Sequence, residues 1–214
     1  MPMKIDKREY RKIDAGLMET RTAEDGAKVV EGYATTFDQP YQLWRDKEMT
    51  VNEQVDRNAF AETDMSDVIM QYDHEGRVFA RIANGTLQLT EDDHGLKIRA
   101  DLGGTEIGRQ LFEEIDGGYT NKMSFGFTVT GEKKERSKDA EGRTVILRTI
   151  TKIGKLFDVS AVSLPANDAT EISSRTISDG LIAEAMEEVR AEEERQRRIG
   201  EIRKLLKGEQ TDDE

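Results

Sequence analysis

The chain has 214 residues, enough for one compact domain with an appendage. Its formal net charge of −12 repels phosphate backbones, so no nucleic-acid partner is expected. Charged residues reach 36%, against roughly 25% in ordinary domains, so much of the chain must be solvated surface.

Zero cysteines exclude disulfides, thiolate nucleophiles and cysteine-ligated metal. No run of about 18 apolar residues is present, so no membrane partner is expected. Residues 1–14, MPMKIDKREYRKID, lack an apolar core and do not read as a signal peptide, which points to a cytosolic protein. They read as frayed or as an edge strand.

Val29–Phe37 reads as a strand ending at the turn Asp38-Gln39-Pro40. Leu43–Val51 is a second strand or an ordered loop. Asp56 caps a short helix, Arg57–Thr63, anchored by Phe60. Asp67–Tyr72 reads as a buried strand that delivers Asp73 and His74 at its end. Val78–Ile82 follows, and Asn84-Gly85 predicts a hairpin turn. Thr86–Leu89 and Leu96–Leu102 pair around Asp92–Gly95. Thr105 caps a helix through Asp116, closed by Gly117-Gly118, with Ile107, Leu111, Phe112 and Ile115 as its apolar stripe. Thr120–Thr130, TNKMSFGFTVT, alternates as a half-buried strand: Met123, Phe125, Phe127 and Val129 face one way, Ser124, Gly126 and Thr128 the other. Residues 131–143 read as a charged loop. Thr144–Ile153 and Leu156–Leu164 are two strands separated by Gly154-Lys155, and Pro165 stops the sheet.

From Thr176 onward there is no aromatic residue, and 12 acids stand against 7 bases. Leu181–Lys207 reads as a helix with a sparse, interrupted apolar stripe, solvent-exposed or dependent on a partner. The expected architecture is mainly β with helices (α+β): a closed barrel or sandwich over residues 1–175, then an acidic helical tail over 176–214.

Ser124 stands on a rigid strand, and Gly126 leaves space above the same face where another backbone can approach. It is either a nucleophile or a polar residue on a wet sheet face. A serine hydroxyl needs a positioned base, and a third group to orient that base. His74 and His94 are the two imidazoles in the sequence. His94 occupies a hairpin tip, where an ordinary surface residue is expected. His74 is either a surface turn histidine or a general base. Asp158 is a lone carboxylate in an apolar strand and requires a partner: an imidazolium, a lysine, an arginine or backbone N–H groups. Asp73 is adjacent to His74, and neighbours on a strand face opposite ways, so it is poorly placed to orient the ring. Neither a G-x-S-x-G elbow, a Walker loop nor an H-E-x-x-H motif occurs, and no metal or cofactor is expected.

The segments GYATTF, YDHEG, MSFGF and DVSAVSLPAN, in this order, resemble the tailed-phage prohead serine protease family over roughly residues 20–172. The resemblance implies a barrel shared with the herpesvirus assemblins. It implies Ser124 as nucleophile and His74 as general base. It implies Asp158 as the third member, at a position where relatives often carry glutamate. Backbone N–H groups near Ser124, Arg77 or Arg81 are the candidates for stabilising an oxyanion. The implied activity is cleavage of the scaffold-like segment of the major capsid protein, and of the protease itself, during procapsid maturation. The implied location is the procapsid in the host cytoplasm, with the capsid protein and a second copy of the chain as partners. The alternative is a non-catalytic assembly or scaffolding component with the same fold. An esterase-like hydrolase is a weaker third reading.

Overall fold

The structure, a computed structural model, describes residues 8–13, 18–24 and 26–163, and in the C-terminal helix residues 183, 186, 187, 189–192 and 194–203. In chain order the described elements are β1 (Glu9–Ile13), β2 (Glu19–Thr22), β3 (Lys28–Thr36), β4 (Tyr41–Arg45), β5 (Met49–Val55), β6 (Ile69–Tyr72), β7 (Glu75–Arg81), β8 (Leu87–Glu91), β9 (Gly95–Asp101), α1 (Glu106–Asp116), β10 (Lys122–Lys138) and β11 (Thr144–Val162). The C-terminal helix follows.

The protein is mainly β. One sheet runs β1-β10-β11-β5-β4, with β6 and β7 attached to the far end of β11; the other runs β2-β3-β9-β8. β11 is the spine. Along one edge it pairs antiparallel with β10. Along the other it pairs in parallel, first with β5 through Thr144–Ile150 and then with β6 through Asp158–Ala161. Among the described residues the sheets meet at a bridge between Phe37 and Val55. Between them lies one core, in which Phe125 and Phe127 stack 4.4 Å apart among Val30, Leu96, Ile98, Ile150 and Leu156.

α1 forms as its sequence demands. The Thr105 hydroxyl accepts the Gly108 N–H at 3.0 Å, and Leu111, Phe112 and Ile115 are buried. Gly108 is a close approach: a Cβ there would lie 2.3 Å from the Leu102 carbonyl oxygen. In a free helix Gly→Ala stabilises by about 1 kcal/mol. Here the overlap with backbone reverses the sign. Gly108→Ala is expected to cost about 1–3 kcal/mol, lowering the midpoint of a thermal melt by roughly 3–10 °C. An unchanged or raised midpoint would contradict this packing.

The structure corrects several expectations. Residues 131–143 are not a loop. β10 continues to Lys138, pairs with β11 throughout, and turns at Asp139–Arg143, where Asp139 binds the Arg143 side chain and backbone. This outer half carries no apolar alternation because it is solvent-facing. Gly154-Lys155 is not a break either: β11 runs through it, with bulges against β10 that leave Phe157, Gly154 and Thr151 of β11 and Thr130 of β10 unmatched. Arg57–Thr63 is a chain of four-residue turns, not a helix, with Ala59, Ala61 and Thr63 N–H donating to carbonyls three residues back. Phe60 does anchor it. Leu43–Val51 spans the tight connection of a β4–β5 hairpin.

Met186 and Val189 of the C-terminal helix pack on Met49, Val51 and Ile146, beside Leu43 and Trp44. That face is therefore not wholly solvated, whereas Ile202 is exposed. The boundary expected near residues 175–176 lies outside the described residues.

Candidate active site

The register of β10 on β11 places Ser124 opposite Ser160, and Gly126 opposite Asp158. Opposed residues share a face, so Ser124, Ser160 and Asp158 project together, with a gap where Gly126 has no side chain. β6 runs beside this part of β11 and ends at Tyr72, opposite Ala161. Asp73 and His74 then form a two-residue turn into β7, with φ of 47° and 63°. Positive φ costs a non-glycine residue free energy, and hairpins usually place Asn or Gly there. The turn is held regardless. Asp73 N–H donates to the Ala161 carbonyl at 3.0 Å, and the Asp73 carboxylate accepts from the Ser163 N–H and hydroxyl at 3.3 and 3.1 Å. The strain buys one direction for one side chain: the His74 ring lies back over the Ser124 face.

The three residues singled out from the sequence come together. His74 Nε2 is 2.5 Å from Ser124 Oγ, and His74 Nδ1 is 2.5 Å from Asp158 Oδ1. Ser160 donates its hydroxyl to the same Asp158 oxygen at 2.8 Å. An ionised carboxylate only accepts, so Nδ1 carries the proton and Nε2 turns its lone pair toward the serine. Asp158 reaches the ring despite being a methylene shorter than glutamate, because Gly126 lets its carboxylate lean across the neighbouring strand. The space above Gly126 is filled by that carboxylate and by the Tyr10 ring, not by a backbone.

The strand is not half-buried as its alternation predicts. Met123–Phe127 is buried on both faces, and Ser124 is 0% exposed. The cover is β1, which pairs with β10 so that Lys12 opposes Ser124. Ser124 Oγ also lies 3.0 Å from the Arg11 carbonyl oxygen, so its one proton has two acceptors in reach. The Tyr10 ring sits 4.4 Å from the His74 ring. A hydroxyl, an imidazole and a carboxylate in line form the constellation that activates a serine for acyl transfer.

The Caudovirus prohead serine protease family matches residues 17–188. The chain belongs to this family. Its members are serine proteases of phage capsid assembly and maturation, hence hydrolases. Among solved structures, the capsid assembly protease gp21 of bacteriophage T4 is similar, at 12% identity, covering 72% of this chain and 95% of that one with a TM-score of 0.38. No curated protein matches the chain in sequence.

The other candidates in this prohead protease fall outside the constellation. The His94 ring stands exposed at the β8–β9 tip, edge-on to Tyr33 at 4.5 Å. Arg81 is committed to Asp67, which it holds through Nε and Nη2. Arg77 is exposed and lines a groove of about 380 Å³ with Tyr72, Glu75 and Phe79 on one side and Gln110 and Glu114 of α1 on the other. Asp73 does not orient His74, but the reason is its place in a turn, tied to Ser163, not opposite faces of a strand.

Sequence reasoning missed Ser160, Tyr10 and Arg11. Ser160 was within reach, since it stands two residues beyond Asp158 in DVSAV and alternation puts both on one face. Tyr10 and Arg11 depend on β1 pairing more than a hundred residues away, for which the chain carries no local signal.

Beneath β1 is a buried charge cluster. Arg11 and Arg148 both bind Glu53, and Arg148 also binds Glu9 and Glu132. Burial alone would push the Glu53 carboxyl up. Arg11, and after it Arg148 and the Tyr41 hydroxyl, more than offset this and hold it below the usual carboxylate range. Burial, and then the charge of Glu53, push the Tyr41 hydroxyl well above its ordinary value.

Proposed function

We propose that Ser124, His74 and Asp158 are the catalytic residues of a serine endopeptidase that cuts the scaffold-like segment of the major capsid protein, and its own chain, inside the procapsid in the host cytoplasm. The supporting observation is the line Asp158 Oδ1–His74 Nδ1 and His74 Nε2–Ser124 Oγ, 2.5 Å at each step.

In this reading Ser124 Oγ attacks the scissile carbonyl carbon while His74 takes its proton. Asp158 holds the ring and stabilises the imidazolium that forms. His74 then gives the proton to the departing amine. Water, activated by the same imidazole, hydrolyses the acyl-enzyme. β1 lies on the free edge of β10, the edge that an extended peptide substrate would join as an added strand. It must move aside or be cut before another chain reaches Ser124. The assemblin-like barrel belongs to the same reading: the two sheets enclose one core and already meet at Phe37 and Val55.

The test is co-expression with the cognate capsid protein. Capsid chains shorten on a gel with the unaltered protease and stay full-length with Ser124→Ala. Equal shortening with the alanine variant removes Ser124 from the mechanism.

A further inference from the structure

β1 carries more than an edge strand needs. Glu9 and Arg11 enter the body of the protein on the side of β10 away from His74 and are buried there with Glu53 and Arg148. Arg11 Nε donates to Glu53 Oε1 at 2.5 Å, and Nη2 donates to Glu53 Oε2 at 3.1 Å, a two-pronged grip. Arg148 answers Glu9 in the same way, with Nη1 and Nη2 donating to its two oxygens at 2.8 and 3.1 Å. The Tyr41 hydroxyl donates to Glu53 Oε1 at 2.5 Å. Burying so many charges is costly, and apolar residues of similar size would often stabilise the fold as well or better. Recognition of a particular sequence explains them.

We infer that β1 lies in the track of a substrate strand and that Glu53 and Arg148 determine specificity. The protease cuts extended segments with arginine at the residue whose carbonyl faces Ser124, and with glutamate two residues before it. This rests on the proposed role of Ser124. Three observations carry it.

First, the residue gripped by Glu53 is the same one whose carbonyl oxygen lies 3.0 Å from Ser124 Oγ, so the deepest side-chain site sits beside the reacting bond. Second, with β1 gone, Arg148 would face both Glu53 and Glu132, to which it is already bonded. Glu132 is also paired with Lys134, whereas Glu53, 0% exposed, loses the Arg11 guanidinium and shares Arg148 with Glu132. Such a site calls for a cation. Third, the two-pronged geometry suits a guanidinium and not the point charge of lysine.

The Arg11–Lys12 bond is one such site. Ser124 Oγ bonds to the Arg11 carbonyl carbon, the C–N bond to Lys12 breaks, and His74 passes the serine proton to the Lys12 nitrogen. Water then supplies a hydroxyl to Arg11 and a proton to Ser124.

The test uses the full-length protease, its Ser124→Ala variant and a synthetic peptide with the sequence of residues 4–16, KIDKREYRKIDAG. Mass spectrometry is expected to show one Ser124-dependent cut after Arg11. Arg11→Lys in the peptide should slow it about 10-fold and Arg11→Gln roughly 100-fold, the range expected for losing hydrogen bonds to a buried charge. Glu9→Gln should slow it several-fold. A Glu53→Gln protease, shown to be folded by circular dichroism, should cut the unaltered peptide and its Arg11→Gln version at similar rates. If capsid chains shorten in a Ser124-dependent way but the peptide is cut elsewhere, not at all, or equally fast with glutamine, the specificity assignment is wrong and the protease assignment stands. If Ser124→Ala leaves capsid cleavage intact, the protease assignment falls first.

Discussion

Replacing His74 with alanine is expected to slow peptide-bond cleavage roughly 10⁴- to 10⁶-fold, and adding Ser124→Ala should cost almost nothing more. The two residues share one proton across 2.5 Å, so neither acts without the other. Once the imidazole is gone, the hydroxyl keeps only the Arg11 carbonyl as acceptor, and a carbonyl cannot take its proton away. Losses that multiplied in the double variant would mean that the two groups act independently, and the paired mechanism would fail. His94→Ala is the internal control and should stay within about twofold, since that ring packs on Tyr33 at an exposed hairpin tip. Asp158→Asn should fall between, at roughly 10²- to 10⁴-fold. Ser160 and Nδ1 meet the same oxygen, so an asparagine that keeps its oxygen there still accepts from both but brings no charge to stabilise the imidazolium. With the amide turned to that place instead, its hydrogens face Nδ1 and force the imidazole into the tautomer that cannot accept from serine. Initial rates on one substrate, alongside thermal melts of each variant, check the series.

The site was legible wherever local pattern and register coincide. Alternation in MSFGF assigns Ser124 its face, and the lone acid of LFDVSAV demands a partner. The end of IMQY delivers an imidazole from the adjoining strand. What could not be read was what covers that face. The polar positions Ser124 and Gly126 suggest solvent, yet β1 closes over them through a pairing set by chain closure across more than a hundred residues. The same blindness hid the outer half of β10. A strand end that faces water needs no apolar alternation, so GEKKERSK resembles a loop while its backbone pairs with β11. Its partner Thr144–Ile150 was legible because β5 flanks it and Ile146 and Ile150 are buried. Glu53 was equally silent. A glutamate in MTVNEQV reads as a solvent position, and the two arginines that keep it charged in the interior come from β1 and β11.

Gly126→Ala is expected to lower the turnover number roughly 100- to 1000-fold with the fold intact, although it adds a single methyl group. No backbone conformation forbids the change; the obstacle is space. The new Cβ would lie 2.3 Å from Asp158 Oδ2, 3.1 Å from its Cγ and 2.8 Å from Tyr10 Cε1. Two responses compete. Tyr10 belongs to an edge strand and can lift away, which by itself would uncover Ser124 and favour turnover. Asp158 belongs to β11, paired on both sides, so its backbone cannot retreat and its carboxylate must swing instead. The oxygen that meets the methyl group is not the one on His74, but the two oxygens turn as a unit, and the swing breaks the contacts of Oδ1 with His74 and Ser160 together. The loss of the acid outweighs the opening, because a freed serine is of no use to a ring in the wrong orientation. Single-turnover rates should therefore fall, while the melting midpoint moves by only a few degrees. Activity at or above that of the unaltered protein would show that the covering strand, and not the alignment of Asp158, limits the rate. Glycine at 126 would then be serving β1 alone.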